Sequence, residues 1–285
     1  RLSEDGNYKV LLLEAGKNDN YHWIHIPIGY LYCIGNPRTD WGYKTVPEKG
    51  LKGRSLLYPR GKVLGGCSSI NGMIYIRGQS ADYDLWRQKG NVGWGWDDIL
   101  PYFMKSEDYV DGNSEFHNTG GEWRVDNQRL SWEVLEKFKE ACVQAGIPET
   151  PDFNTGDNEG VGYFKVNQKN GFRVNTAKAF LRPRKSFKNL KTETQAHVQR
   201  ILFDRNKAIG VHYTKNGVDF KVTANKEVIL AAGAIGSPSI LQHSGLGPAR
   251  LLRANSINVI KDIPMIGQNL QDHLQLRCAY KVNGV

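Results

Sequence analysis

The sequence predicts a composite α/β fold that is built around a dinucleotide-binding, Rossmann-like sheet. Two apolar runs, Val10–Leu13 and residues 227–232, have the length and composition of strands that are buried on both faces of a parallel sheet. Each run leads into a glycine-containing turn, and the second turn is followed by Ser237-Pro238, which suits the first residues of a helix. A strand, a glycine turn and a helix in this order are typical of nucleotide-binding units.

Glu14 lies at the end of the first apolar run, in the segment 14–16 (EAG). In dinucleotide-binding units an acidic residue at the end of the second strand binds a ribose hydroxyl, about 20 residues after a glycine fingerprint. Only 13 residues precede Glu14, so we expect the fingerprint to lie upstream of Arg1. Residues 1–4 are then expected to end the intervening helix, with Gly6 as its stop signal. A solvated glutamate at a strand end is the alternative that this segment leaves open.

Residues 61–78 (GKVLGGCSSINGMIYIRG) form the most informative stretch of the chain. Gly65 and Gly66 are followed at once by two serines, and an Asn-Gly pair comes shortly after them. Glycines remove the Cβ atoms that would keep the backbone away from a flat, polar cofactor, and backbone N–H groups and serine hydroxyls can donate hydrogen bonds to it. The alternative is an ordinary glycine turn beside a strand.

Two further motifs support the cofactor interpretation. In residues 233–247 (GAIGSPSILQHSGLG) Ser237 suits the N-cap of a helix and Gly245 its C-terminal stop. A helix that begins at the carboxyl end of a parallel strand favours anionic cofactor groups at its N-terminus. Residues 266–273 (IGQNLQDH) form a polar cluster that ends in an aspartate and a histidine.

The segments between these motifs predict the other elements. Residues 17–60 are rich in aromatic residues and prolines, which predicts irregular structure. Residues 97–107 predict a helix, in which Pro101 is tolerable only in the first turn. A second helix is predicted from its N-cap Ser131 to its stop at Gly146, with an apolar stripe that we expect to be core. The stripe consists of Val134, Leu135, Phe138, Ala141, Cys142 and Ala145.

The C-terminal third predicts mainly strands. Residues 175–182 predict a short helix that Pro183 ends. From residue 191 the apolar pattern changes to a period of two, which predicts a β meander with a hairpin turn at 215–217 (KNG). Residues 274–282 predict a further strand.

Composition excludes several classes of function. The formal net charge is +9, but Lys and Arg are scattered and no nucleic-acid-binding motif accompanies them, so we expect no nucleic-acid partner. A cofactor pyrophosphate and an anionic membrane surface stay open as partners for the basic residues. The four cysteines are far apart and show no metal-ligand spacing, which predicts free thiols, a reducing compartment and no bound metal. For His22 and His25 we expect packing or hydrogen bonding.

No apolar run is long enough for a transmembrane helix. The expected location is the cytoplasm, and peripheral association with the inner membrane is left open.

The four motifs resemble the glucose–methanol–choline (GMC) family of flavin oxidoreductases, and the resemblance covers nearly the whole chain. Both family signatures are present, at 61–84 and 233–247, and the chain looks most like the bacterial choline dehydrogenase-type members. Cys67 departs from the usual Gly, Ser or Thr, although some choline-oxidising relatives also carry GGCSS. Further family-like segments are DWGYKTVPE (40–48), GWGWDDILPYF (93–103), NGFRVNTAKAFLRP (170–183) and AHVQRILFD (196–204).

The resemblance implies a discontinuous FAD-binding domain with an inserted substrate and lid domain. It also implies that the chain is the N-terminal part of a longer enzyme. The implied division is 1–30 FAD-binding domain, 31–95 flavin lid and flavin-cradling loop, 96–187 substrate-domain segment, 188–273 FAD-binding domain, and 274–285 start of the substrate-domain sheet.

The resemblance also assigns residues to the FAD site. Glu14 would accept hydrogen bonds from the adenosine ribose, and Val198 would offer its backbone amide and carbonyl to the adenine edge. The remaining implied cofactor residues are Ala15, Val63, Gly65, Gly66, Ser68, Asn71, Gly72, Met73, Ile74, Ala232, Gly233, Asp272 and His273. Some relatives attach the flavin covalently through a histidine just after the serine pair, where this chain has Ile70, so we expect noncovalent FAD.

The family reaction is the oxidation of an alcohol to an aldehyde or ketone, with hydride transfer to flavin N5 and a C-terminal histidine as base. A quinone or another acceptor is favoured over oxygen as the electron acceptor. His243 and His273 lie within cofactor-domain motifs, so no catalytic residue is assigned and the base is expected beyond the C-terminus. Two alternatives stay open: a flavin-containing lyase of the same family, and a non-enzymatic fragment without redox activity.

Overall fold

The structure is a computed structural model, and it describes residues 1–273, 275, 276 and 278–281. The chain forms two compact units. The first contains residues 1–10 and 17–190, and the second contains residues 11–16 together with the chain from Lys191 onward. The predicted division into five domain segments stays a prediction.

Short strands and helices alternate along the chain. The strands are β1 (Val10–Leu13), β2 (Tyr43–Lys44), β3 (Leu57–Tyr58), β4 (Ile74–Tyr75), β5 (Glu107–Tyr109), β6 (Trp123–Asn127), β7 (Lys165–Val166), β8 (Gln168–Lys169), β9 (Phe172–Arg173), β10 (Leu190–Glu193), β11 (Ala196–Asp204), β12 (Lys207–Lys215), β13 (Val218–Thr223), β14 (Leu246–Gly247) and β15 (Lys261–Asp262). The helices are α1 (His22–His25), α2 (Tyr30–Cys33), α3 (Ser80–Gln88), α4 (Trp96–Ser106), α5 (Glu133–Gln144), α6 (Gly233–His243) and α7 (Ala249–Ala254). Single tight turns lie at Pro27–Gly29, Lys49–Leu51, Gly66–Ser69 and Arg182–Arg184, and a π-helical turn lies at Ala177–Leu181.

The first unit is organised around a four-stranded sheet with the order β4-β7-β6-β5. The β4–β7 and β6–β7 pairs are antiparallel, whereas β5 and β6 are parallel. One buried apolar cluster joins this sheet through Tyr75, Tyr109 and Val125. A second cluster contains Ile24, Cys33, Val63 and Ile70, so it anchors the glycine-rich segment to α1 and α2.

The second unit contains the predicted β meander, β11-β12-β13. The turn between β12 and β13 is the predicted hairpin: Asn216 and Gly217 both have positive φ values, 51° and 77°, as a two-residue type I′ turn requires. The first strand, β1, pairs with β10. Hydrogen bonds from Val10 N to Asn189 O and from Glu14 N to Glu193 O advance in the same direction along both strands, so this pair is parallel.

The burial predicted for the first strand was wrong, and so was the strand predicted at 227–232. Leu11 is 36% exposed and β1 has no fully buried residue, because β1 and β10 form a sheet of only two strands among the described residues. Residues 227–232 form no strand, and Ile229 is 57% exposed. An apolar run becomes a strand only when a neighbour supplies its hydrogen-bond partners, and within the described chain none does so here.

The boundaries of two helices also differ from the predictions. Helix α4 begins at Trp96, where the Gly95 N–H donates to Asp98 Oδ2 (3.0 Å), so Pro101 lies in the second turn. Helix α6 begins at Gly233, so Ser237 is not its N-cap and Pro238 lies inside the helix. In both helices a complete helical turn precedes the proline. The proline removes one internal N–H donor, but the helix continues beyond it.

The predicted core stripe of α5 is not core. The helix begins at Glu133 with no side-chain cap, so Ser131 is not its N-cap, and none of its residues is buried. Leu135 and Phe138 are 40% and 51% exposed. Apolar residues at helical spacing predict an amphipathic helix, but they do not show which part of the protein, if any, covers its apolar face.

Three smaller predictions complete the comparison. Residues 1–4 form a turn closed by Glu4 N to Arg1 O (3.1 Å), with no helix. Pro183 lies within the tight turn Arg182–Arg184 and does not end the preceding helical turn. Of the predicted strand 274–282, residues 274, 277 and 282 lie outside the described residues, and the others form no strand.

Among the described residues, no helix is both long and apolar enough to cross a membrane.

Candidate functional site

The predicted site residues are divided between the two units. Residues 63–74 lie in the first unit, and Glu14, Ala15, Val198, Ala232, Gly233, Asp272 and His273 lie in the second. Each set is described within its own unit.

The two glycines of the glycine-rich segment have different surroundings. Gly65 and Gly66 have φ values of 91° and 54°, which favour glycine. A Cβ on Gly65 would lie 2.5 Å from Ser69 Oγ, whereas a Cβ on Gly66 would meet no atom within 4 Å. Gly65 therefore allows the turn to pack on itself, and Gly66 leaves an open face. Val63, just before this turn, is buried and fixes the segment to the core.

The two serines build the turn itself. Ser68 Oγ donates to Gly65 O (2.6 Å) and accepts from Thr176 N (2.9 Å). Ser69 Oγ donates to Leu64 O (2.9 Å) and accepts from Asn175 Nδ2 (2.8 Å). Since a hydroxyl has a single proton to donate, both donors are already used within the protein. The cofactor contact expected of Ser68 stays a prediction, and the structure gives this residue a supporting role.

The residues after the serines hold a strained backbone. Met73 is buried and has a φ of 66°, a left-handed conformation that costs a non-glycine residue about 1–3 kcal/mol. Its N–H donates to Asn71 Oδ1 (3.0 Å), and its carbonyl accepts from Asn167 N (2.9 Å). Residues in such conformations cluster at ligand sites, where the surrounding structure holds them.

Gly72 is the accessible residue of this segment. It is exposed, and a Cβ there would meet no atom within 4 Å. Its N–H has no hydrogen-bond partner among the described residues. Gly72 therefore offers a backbone donor on an open face, two residues before Ile74, which begins β4 and is 44% exposed.

In the second unit, Glu14 and Ala15 follow the end of β1. Glu14 is half-buried, and its Oε1 accepts the Gly16 N–H at 2.7 Å. Burial raises the pKa of Glu14, and the hydrogen bond from Gly16 opposes that shift. Oε2 has no hydrogen-bond partner in the described part of the chain, so it is available to accept one from a ligand hydroxyl.

Val198 lies in β11 opposite Tyr213, where the pairing with β12 is irregular. A shift of register between Val198 and Arg200 marks a β-bulge. A bulge interrupts the ladder of hydrogen bonds and re-aims the neighbouring residues, and bulges are common beside binding sites. The adenine contact expected of Val198 stays a prediction.

Ala232 and Gly233 lie at the start of α6. Both are exposed, Gly233 has a φ of 79°, and a Cβ there would meet no atom within 4 Å. The Ala232 N–H donates to Ser237 Oγ (3.1 Å), which ties the first turn to the residue before it. The eleven-residue helix directs its first N–H groups and the positive end of its dipole toward this open face.

Asp272 and His273 are exposed residues outside helices and strands. The His273 N–H donates to Asp272 Oδ1 (2.8 Å), which is a local contact. His243, at the end of α6, has its Nδ1 3.0 Å from Ser239 O within the same helix. This contact agrees with the expectation that His243 has a structural role.

Each set, within its own unit, offers groups of the kind that a flavin dinucleotide requires. Gly66, Gly72 and Gly233 each leave open the space that a Cβ would fill, so backbone can approach a bulky ligand. The Gly72 N–H suits a polar ring edge, the start of α6 suits a pyrophosphate, and Glu14 Oε2 suits a ribose hydroxyl. The assignments of individual residues stay predictions.

Sequence reasoning missed Arg173, which is fully buried behind the glycine-rich segment. Its Nη1 donates to Ser68 O (3.0 Å) and to Asn71 Oδ1 (2.9 Å), and its Nε donates to Ile24 O (2.7 Å). The only sequence signal was the polar stretch RVNT at 173–176, inside a family-like segment that we did not connect with the site.

A buried charge cluster was also missed. Arg77 and Glu107 form an ion pair (2.8 Å) in which both side chains are 1% exposed. His117 lies between two carboxylates, with Nδ1 3.1 Å from Glu107 Oε1 and Nε2 2.7 Å from Asp152 Oδ2. Burial opposes the charged form of His117, but its hydrogen bonds to Asp152 and Glu107 raise its pKa overall. Arg77 balances the second carboxylate, so the cluster is neutral when His117 is protonated.

Comparison with known proteins identifies the class. The sequence profile of the GMC oxidoreductase family matches residues 12–275, so the chain belongs to this family. The resemblance read from the two signatures is thereby confirmed.

Individual relatives agree with this assignment. The chain is 41% identical to human mitochondrial choline dehydrogenase over 97% of its own length and 48% of that protein. It is 40% identical to an alcohol dehydrogenase [acceptor] of Pseudomonas putida, over 98% of the chain and 51% of that protein. The chain thus spans about half the length of the curated relatives it matches.

A solved structure supports the predicted α/β fold class. An FAD-dependent oxidoreductase from Chaetomium thermophilum superposes with a TM-score of 0.88 at 32% identity, over 95% of this chain and 49% of that one. The predicted fold class is therefore confirmed.

Proposed function

We propose that this chain forms the FAD-binding part of a dehydrogenase that oxidises a small-molecule alcohol to an aldehyde, with choline as the first substrate to test. The family match over residues 12–275 carries this proposal. The similarity to a choline dehydrogenase and to an alcohol dehydrogenase supports the substrate class. When bound, FAD supplies the hydride acceptor.

The residues of the chain would bind and orient the cofactor. Gly66 and Gly72 would let the backbone approach the flavin ring, and the Gly72 N–H would donate a hydrogen bond to its polar edge. Glu14 Oε2 would accept from the adenosine ribose, and the start of α6 would face the pyrophosphate. Because these groups are backbone atoms or a half-buried carboxylate, each is held in place within its own unit before the cofactor binds.

We propose that the FAD is bound noncovalently. Ile70 lies where some relatives carry the histidine that attaches flavin, and it is 2% exposed in the buried cluster that it forms with Ile24, Cys33 and Val63. Acid precipitation of the full-length flavoprotein should release all of the FAD into the supernatant. Flavin that stays with the protein pellet would contradict noncovalent binding.

A quinone or a similar acceptor would remove the electrons. The name of the Pseudomonas putida relative, alcohol dehydrogenase [acceptor], supports a separate acceptor. A cytoplasmic protein in peripheral contact with the inner membrane, where quinones are located, belongs to the same proposal.

The decisive experiment uses the full-length polypeptide that contains this chain. Anaerobic addition of choline or another small alcohol should bleach the visible absorbance of the bound flavin, and a quinone should restore it. Bound FAD that no alcohol bleaches would replace the dehydrogenase proposal with a non-redox lyase. A correctly folded polypeptide that binds no FAD would exclude both.

A further inference from the structure

We infer that Arg173 is the positioning residue of the flavin-cradling loop, residues 65–73, and this inference rests on the function proposed above. The Arg173 side chain is completely buried. Its guanidinium donates to Ser68 O (3.0 Å) and to Asn71 Oδ1 (2.9 Å), which are both in the loop. It also donates to Ile24 O (2.7 Å), so one side chain connects the loop with α1.

Asn71 transmits the effect of Arg173 to the strained part of the loop. Asn71 Oδ1 accepts hydrogen bonds from Arg173 Nη1 (2.9 Å) and from Met73 N (3.0 Å). The shared acceptor holds Met73 in its left-handed conformation, which a non-glycine residue keeps only when its surroundings enforce it. Since Gly72 lies between Asn71 and Met73, the same contacts orient the accessible Gly72 N–H.

Packing alone does not explain why a charged residue occupies position 173. Its hydrogen-bond acceptors among the described residues are two carbonyl oxygens and one amide oxygen, with no carboxylate, and Nη2 has no partner there. Burial lowers the pKa of Arg173 to about 10, so the group is still charged at neutral pH. A buried cation without an acidic partner is costly, and an apolar residue would pack at lower cost. The guanidinium fork bridges three fixed acceptors, which the single nitrogen of a lysine does not.

The residues after Arg173 bind the same loop. Asn175 Nδ2 donates to Ser69 Oγ (2.8 Å), and Thr176 N donates to Ser68 Oγ (2.9 Å). Arg173, Asn175 and Thr176 therefore all contact the loop, and Arg173 is the one that donates to Asn71. Loss of Arg173 alone should release the Asn71–Met73 end of the loop and leave the Ser68–Ser69 end attached.

The test compares Arg173→Gln and Arg173→Lys with the wild type in the full-length polypeptide. In the flavin-free protein, the hydrogen-bonded amides of Ile70, Asn71 and Met73 should exchange at least tenfold faster in both variants. With FAD added, the Kd should rise at least tenfold and the visible flavin spectrum should shift. Arg77→Lys is the matched control, because Arg77 is as buried but contacts no residue of the loop. It should lower global stability while the FAD Kd stays within twofold.

A double-mutant cycle tests the route through Asn71. The variant that combines Asn71→Ala with Arg173→Gln should bind FAD no more weakly than the weaker single variant. If the increases in Kd of the two single variants multiply in the double variant, the inference is overturned. It is also overturned if Arg173→Lys keeps the wild-type exchange rates and FAD affinity. If the wild type binds no FAD, the proposed function fails, and the exchange rates of the Ile70, Asn71 and Met73 amides still decide whether Arg173 positions the loop.

Discussion

At the scale of single residues, Gly65 and Gly72 of the same loop should respond differently to substitution. Gly72→Ala places its Cβ in open space at a φ that alanine accepts, so the free energy of unfolding should change by less than about 0.5 kcal/mol. The added methyl occupies the face where we propose the flavin lies, so the Kd for FAD should rise at least about tenfold, which corresponds to about 1.4 kcal/mol. Fluorescence titration of the flavin-free protein measures this affinity.

Gly65→Ala should have the opposite profile. Its Cβ would lie 2.5 Å from Ser69 Oγ at a φ of 91°, so urea unfolding should show a loss of about 1–3 kcal/mol. Gly50→Ala is the control for both, because Gly50 is exposed and a Cβ there would meet nothing within 4 Å. Normal FAD binding by Gly72→Ala would show that this face does not contact the flavin.

At the scale of elements, the helix α6 depends on Ser237. Its Oγ accepts the Ala232 N–H at 3.1 Å and so joins the first turn to the residue before the helix. Ser237→Ala removes one exposed hydrogen bond, which should lower the free energy of unfolding by about 0.5–1.5 kcal/mol. The start of α6 should also fray, so FAD should bind several-fold more weakly, as isothermal titration would show. Ser239→Ala, on the same helix, should leave the FAD affinity unchanged. Equal effects of both variants would indicate general destabilisation.

The elements also show which features local sequence can predict. The hairpin at Asn216-Gly217 was predictable because its two residues determine the turn type. The stop of α5 at Gly146, which has a φ of 90°, was predictable for the same reason. The absence of a strand at 227–232 and the exposure of the apolar side of α5 were not predictable, because pairing and burial depend on partners elsewhere in the chain.

The candidate site follows the same rule. Glycine spacing and Glu14 are local signals, so they could be recognised in the sequence. Arg173 contacts Ser68 and Asn71 across more than a hundred residues of sequence, and no local pattern indicates that contact. The buried Glu107–His117–Asp152 cluster likewise forms only when separate loops meet around β5.

At the scale of the whole molecule, the His117 cluster should make stability depend on pH. The hydrogen bonds of His117 to Asp152 and Glu107 raise its folded pKa above the ordinary 6.5. Its contribution is therefore complete below pH 6.5 and is lost as the pH rises through the folded value. Although burial favours the protonated acid, hydrogen bonds from His117 and Asn154 lower the pKa of Asp152 to about 2. The contribution of Asp152 is present above its ordinary pKa of 3.8 and is lost as the pH falls toward about 2.

The change His117→Leu tests this assignment. It leaves Asp152 and Glu107 without the cation between them, so the free energy of unfolding at neutral pH should fall by about 3–5 kcal/mol. As the pH rises from the ordinary histidine pKa of 6.5 through the raised folded pKa of His117, the wild type should lose stability in urea unfolding, and the variant should lose much less. His212→Leu is the control, since among the described residues the one ion pair of His212 is with the exposed Asp219 (3.3 Å), and this variant should keep the wild-type pH profile. An unchanged alkaline slope in His117→Leu would mean that His117 is neutral in the folded protein, and that the cluster is held by hydrogen bonds without a buried imidazolium.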